Sequence, residues 1–233
     1  MADLIALLLA TLTSLLAPGV READLEKKVA AAVLAKPPVP IAAVKVDASG
    51  VSAHGVKTIE FDISDLLLDP LLIADARIAI THVSKVPKGK LAIQGIAWSA
   101  DITEEALTAA LNAHVSSLKS AQVKLEEEGI TLKGKYKTRL FPVPFEVKGQ
   151  LVVENDTQLV FRIDKSRMSG VSVPGPLNRI IEREVNPVYD LAKFAQRNEK
   201  DIARAKEQLS YTFKLQVEEI TPGEGHITAA GKA

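Results

Sequence analysis

Residues 141–154 read FPVPFEVKGQLVVE. Phe141, Val143, Phe145, Val147, Leu151 and Val153 share one parity, and Glu146, Lys148, Gln150 and Glu154 take the other. Successive side chains of a strand point to opposite faces, so such a run has one covered and one wet side. The pattern recurs on both flanks. Ile59, Phe61 and Ile63 alternate with Thr58, Glu60 and Asp62. Ala76, Ile78 and Ile80 do so around Arg77, and Ile130, Leu132 and Tyr136 face away from Thr131, Lys133, Lys135 and Lys137. Leu159, Phe161 and Ile163, then Tyr211, Phe213, Leu215 and Val217, continue it. The connections are short turns such as Val86-Pro87-Lys88-Gly89 and Asn155-Asp156. Antiparallel hairpins follow, because no crossover helix fits between the strands.

Four helical patterns interrupt the strands. From Arg21 to Lys36, Leu25, Val29 and Val33 recur on one face, and Pro37-Pro38-Val39-Pro40 stops the helix. Thr103 caps a second helix expected to run to about Lys119, with Glu104 and Glu105 in its first turn and Leu107, Leu111, Val115 and Leu118 as its stripe. Leu177, Ile180, Ile181 and Val188 outline a third, and Arg197 to Gln208 is charged and helical. The covered face of the strands needs a lid, and these helices are the candidates. The expected fold class is therefore α+β, with a strongly curved antiparallel sheet wrapped around long amphipathic helices in a single domain over residues 20–233.

Residues 1–19 stand apart. Leu4 to Leu16, LIALLLATLTSLL, is uncharged and precedes Ala17-Pro18-Gly19. Spanning a bilayer takes roughly 20 apolar residues, so the run is short for a membrane helix. It reads either as a secretory signal peptide ending at Gly19 or as an N-terminal helix buried in the core. The first reading places the protein in the periplasm or cell envelope, the second in the cytoplasm.

Composition narrows the function. Lys plus Arg and Asp plus Glu both number 29, which argues against a nucleic-acid partner, whose backbone demands a cationic surplus. With no cysteine there is neither a disulfide nor thiol chemistry. His54, His82, His114 and His226 fall in no metal-ligand spacing, and no nucleophile elbow, phosphate loop or dinucleotide fingerprint occurs. Neither a catalytic residue, a metal nor a cofactor is expected. What remains is the aliphatic inner face, which suits either a plain core or the shelter of an acyl chain. Lys133, Lys135, Lys137 and Arg139 lie on one strand face, as a solvated surface or as a row of cations for lipid headgroups.

Ile102-Thr103-Glu104-Glu105-Ala106-Leu107 resembles the strand and Thr-Glu-x-x-Leu helix of the LmeA-like phospholipid-binding proteins of bacterial envelopes. Val171-Ser172-Val173-Pro174, followed by Leu177, Ile180 and Ile181, then Asn186-Pro187 and Asp190-Leu191, is similar to the same family. The resemblance covers about residues 21 to 232, with the charged stretch Arg197 to Gln208 as a departure. It implies a tubular lipid-binding (TULIP-like) fold, an envelope location and binding of phospholipid in an apolar groove. The expected function is non-catalytic binding or transport of phospholipid or another acyl-chain lipid, with a membrane surface as a second candidate partner. The groove would be lined by Ile59, Phe61, Ile63, Ile78, Ile80, Phe141, Val143 and Phe145, faced by Leu177, Ile180 and Ile181. The alternative is a structural or interaction domain of the envelope whose core is filled and holds no ligand.

Overall fold

The computed structural model describes residues 20–172, apart from Lys36, Pro38, Ala53 and residues 69–70, 88–89 and 138–140, together with residues 216–232. Also described are Ile5, Leu8, Thr11, Leu12, Leu15, Leu16, Gly19, Asn178, Arg179, Glu182, Arg183, Asn186 and residues 188–190. Leu177, Ile180, Ile181, Arg139 and the stretch 191–215 lie outside the described residues.

Helix α1 (Glu22–Ala35) leads into β1 (Ala43–Ser49), β2 (Gly55–Leu68), β3 (Leu71–Val86), β4 (Lys90–Ala92) and β5 (Gly95–Thr103). Helix α2 (Glu104–His114) then opens a second meander of β6 (Leu118–Glu126), β7 (Gly129–Lys137), β8 (Pro142–Glu154) and β9 (Gln158–Met168). The short β10 (Val171–Ser172) and β11 (Tyr189–Asp190) and the hairpin β12 (Gln216–Gly223) and β13 (His226–Lys232) follow. Two antiparallel sheets result. Sheet A is ordered β1-β2-β3-β5-β13-β12, with β4 on β3; sheet B is ordered β10-β9-β8-β7-β6, with β11 on β9. Both contribute to one continuous buried cluster.

Register explains the packing of sheet A. Val46, Phe61, Ile78, Trp98 and Gly231 stand side by side across five strands, and Ala48, Ile59, Ile80 and Ile96 form a parallel row. Ile59, Phe61, Ile63, Ile78 and Ile80 are no more than 1% exposed. The same cluster takes in Leu25, Val29 and Val33 of α1 and, from the N-terminal run, the helical Ile5, Leu8 and Leu12, all fully buried, with Leu16. The Lys85 ammonium donates to the Leu16 carbonyl and ties that run to β3.

The β2–β3 hairpin is longer than its alternation suggests. Asp65 and His82 both have a φ of 52°. At each, the buried parity changes in both strands together, from Ile63 to Leu66 opposite Ala76 and Ile73, and from Ile80 to Val83 opposite Ile59 and Val56. The strands therefore rotate without losing register, and each end of the hairpin still buries leucine, isoleucine or valine.

The expected arrangement of helices is overturned. Among the described residues the architecture is mostly antiparallel strand, and no long amphipathic helix is wrapped by a sheet; α1 has 14 residues and α2 has 11. The second helix also ends early: Val115 is its cap, and Leu118 begins an edge strand rather than extending a stripe. The reason lies in the polar faces, which bind sheet edges. Ala48 N–H donates to Glu26 Oε1 and Gly50 N–H to Glu22 Oε1, both at 2.8 Å. Leu125, Val123 and Ala121 N–H donate to Glu104 Oε1, Thr108 Oγ1 and Asn112 Oδ1 at 2.6, 2.9 and 2.9 Å. On the far edge of sheet B, Ile163 N–H donates to Glu182 Oε1 at 2.9 Å and Phe161 N–H to Asn186 Oδ1 at 2.7 Å, while Ser166 Oγ bonds Asn178 Oδ1. Four helical residues advance about 6 Å and two strand residues about 6.7 Å. A polar residue at every fourth position thus meets every second amide of an antiparallel edge, and the amides that would otherwise recruit another chain are satisfied.

Candidate apolar site

The inner face of sheet B meets α2 over a gap. Leu107 and Leu111 descend from the helix. Val123 of β6, Ile130 and Leu132 of β7, Leu151 of β8 and Phe161 of β9 form the floor, and Val188 closes one side. Cross-strand pairing sets this floor, with Val123 opposite Leu132 and Leu151 opposite Phe161. Thr103 fixes the helix start by accepting the Ala106 N–H at 3.2 Å, which aims Leu107 and Leu111 at the sheet. The cavity is partly open, holds about 30 Å³ and has no polar atom on its wall. Val188 is positioned by its own N–H, which donates to the Leu159 carbonyl at 2.8 Å, and by Asn186, whose side chain both accepts from and donates to the backbone of Phe161. Chemically, such a wall can exclude water and hold hydrocarbon; it offers no acid, base or nucleophile.

The residues expected to line a groove are dispersed. Ile59, Phe61, Ile63, Ile78 and Ile80 are together, but as the packed interior of sheet A. Phe145 is buried and Val143 half-buried on sheet B, whereas Phe141 is 63% exposed. None of these lines the cavity. Lys133, Lys135 and Lys137 stand exposed on the outer face of sheet B, Lys133 within 3.6 Å of Glu146. Most of the true lining was within reach of the alternation: Ile130, Leu132, Leu151 and Phe161 have the inward parity, and Leu107 and Leu111 belong to the stripe. Val123 was hidden because it lies between the expected end of the second helix near Lys119 and the turn at Glu126, where the alternation reading assigns no strand.

His54 and His82 border a larger, open and mixed depression between the ends of β2 and β3. Among the described residues no group of three metal-ligating side chains exists, and no helix is long and apolar enough to cross a membrane.

Comparison with known proteins finds no match. Neither a family model nor a curated relative nor a solved structure pairs with the chain.

Proposed function

We propose that this protein binds an acyl-chain lipid without chemically changing it, and that the hydrocarbon enters between α2 and sheet B. The observation that carries the reading is the cavity wall of Leu107, Leu111, Val123, Ile130, Leu132, Leu151, Phe161 and Val188, apolar throughout and open at one side. At about 30 Å³ it admits the end of a chain, against roughly 300–1,000 Å³ for a site that engulfs a ligand. Loading therefore requires α2 and the Val188 segment to part from the sheet. Burial of hydrocarbon supplies about 0.8 kcal/mol per methylene, so a chain of about 16 carbons offers roughly 12 kcal/mol against that opening. The resemblance of residues 102–107 and 171–191 to envelope phospholipid-binding proteins supports phospholipid as the lipid and the bacterial envelope as the place. Burial of Ile5, Leu8, Leu12 and Leu16 speaks for a retained N-terminal helix, and so for the cytoplasmic alternative against the envelope that the resemblance implies.

Native mass spectrometry of the purified full chain, before and after incubation with phospholipid vesicles, tests the reading. The expected result is a bound lipid, lost in Leu111→Trp, whose indole fills the cavity. A chain that remains lipid-free after incubation refutes it. That outcome would favour the second reading, an interaction domain with a filled core, for which the close packing of sheet A already speaks.

A further inference from the structure

The charges of this neutral chain are segregated. Register places Lys119 opposite Lys135, sets Lys133, Glu146 and Arg167 in a row, and sets Lys124, Thr131, Lys148 and Lys165 in the next, all on the outer face of sheet B. Three cations of this face are neutralised: Lys124 by Glu126 at 2.7 Å, Arg162 by Glu154 at 2.9 Å and Lys133 by Glu146 at 3.6 Å. Lys119, Lys135, Lys137, Lys148, Lys165 and Arg167 are exposed, and among the described residues none is placed in an ion pair; Asp164 sits exposed in the adjoining bulge. Directly opposed like charges, as in Lys119 with Lys135 and Lys148 with Lys165, work against strand pairing, so stability alone does not select them. The outer face of sheet A has the opposite bias, with Asp47, Glu60, Asp62, Asp75, Asp101 and Glu218 against Lys45, Lys57, Arg77 and Lys232.

Two further features lie on the cationic sheet. A depression of about 300 Å³ is bordered by Glu146, Lys148, Lys165, Ser166 and Arg167. At the end where β8 begins and β9 finishes, Phe141 is 63% and Val171 70% exposed. Lys137 pairs with Pro142, next to Phe141. Val171 pairs with Met168 and so follows the inward parity, at the rim of the basic face and not on it, one residue from Ser172, which pairs with Arg167. Large apolar side chains set beside basic ones match a bilayer interface, where headgroup phosphates lie just above the acyl boundary.

We propose that the outer face of sheet B, with Phe141 and Val171 at its end, docks on an anionic lipid bilayer. The cations meet the phosphates, the depression receives a headgroup, and the two apolar side chains enter the interface. The choice of a bilayer over a soluble polyanion rests on the lipid reading above and on Phe141 and Val171, to which a polyanion offers nothing. The acidic face of sheet A is repelled, so the molecule lands in one orientation.

Co-sedimentation of the full chain with vesicles of phosphatidylcholine alone, or of phosphatidylcholine mixed with phosphatidylglycerol, tests this. Binding is expected only with phosphatidylglycerol and should weaken as salt rises. A surface cation contributes about fivefold, so the triple change Lys148→Glu, Lys165→Glu and Arg167→Glu should lower binding by at least about a hundredfold. Phe141→Ala should lower it about tenfold, a loss read at a temperature and urea concentration where the variant is shown to be folded. Equal binding to neutral vesicles, no binding to either kind, or an unaffected triple variant would each overturn the proposal. So would binding to duplex DNA as tight as to anionic vesicles, with Phe141→Ala silent in both. The cavity is judged separately: Leu111→Trp should abolish lipid retention and leave sedimentation intact, so either assay can fail without the other.

Discussion

Asn112 and Asn186 offer the sharpest test of the edge-sealing geometry, because each grips both backbone groups of one residue. Asn112 Oδ1 accepts the Ala121 N–H and Nδ2 donates to the Ala121 carbonyl, both at 2.9 Å. Asn186 does the same to Phe161 at 2.7 and 2.8 Å. A neutral hydrogen bond contributes about 1 kcal/mol net, so truncation to alanine removes about 2 kcal/mol at either site. At position 112 the helix interior returns up to about 0.7 kcal/mol, since alanine is the better helix former. Asn186 is not helical, and nothing is returned there. The expected losses are about 1.3 kcal/mol for Asn112→Ala and about 2 kcal/mol for Asn186→Ala. The two edges are three strand spacings apart, about 14 Å, so the double variant should lose close to the sum. Urea unfolding followed by the fluorescence of Trp98, the one tryptophan of the chain and only 7% exposed, measures this directly. With a slope of about 2–3 kcal/mol per molar urea, the midpoint should fall by roughly half a molar for Asn112→Ala and further for Asn186→Ala. Unchanged midpoints, or a stabilised Asn112→Ala, would refute the claim that helix side chains hold the edges.

Two further outcomes follow from burial and charge. A chain beginning at Val20 loses Ile5, Leu8, Leu12 and Leu16 from the core, about 1.5–3 kcal/mol each and together comparable to a whole domain's stability; it should be unfolded by circular dichroism, and a cooperative, soluble truncation would show that the run is dispensable. Hydrogen bonds from Arg21 and Lys124, reinforced by their charges, hold the Asp24 and Glu126 carboxyls below the ordinary range. Depressed carboxylates contribute above their unfolded pKa of about 4 and stop contributing as pH falls through the folded value, so the urea midpoint should be level from pH 8 to about 5 and decline below about 4, whereas a rise on acidification would contradict it.

Much of the strand content was legible because a strand with one wet face writes its orientation into every second residue. Ile59 to Ile63, Ile130 to Tyr136 and Phe141 to Val153 are strands with the expected buried parity, apart from Thr131, which is buried on the face expected to be wet, and Phe141, which precedes its strand. The α1 stripe of Leu25, Val29 and Val33 was equally plain and is fully buried. Three things were not legible. Left-handed residues at Asp65 and His82 shift parity, so the alternation seemed to end where the strands in fact continue. Leu118 lies three residues beyond Val115, in phase with the apolar stripe, and periodicity cannot distinguish one more helical turn from the start of a strand. The helices were assigned by their greasy faces, whereas Glu22, Glu26, Glu104, Thr108 and Asn112, which place them on the edges, read as ordinary solvated positions. The cavity followed that error: once α2 sits against β6, Leu107 and Leu111 point at sheet B, away from Ile59 and Phe61.

The order of elements has a bearing on synthesis. Glu22 and Glu26 precede the strand they guard by fewer than 30 residues, and Glu104, Thr108 and Asn112 precede theirs by about 20 or fewer, so both meanders can be shielded soon after they leave the ribosome. The flank of β5 has no such local guardian. Its partner β13 lies more than 120 residues downstream, with Ile227 set against Ile102. Until the last hairpin is made, β5 waits with Ile102, Ala100 and Trp98 beside an unpaired row of amides. A nascent or clipped chain lacking residues 216–232 therefore exposes that row to any neighbouring copy, and the C-terminal strand serves as the final latch against self-association.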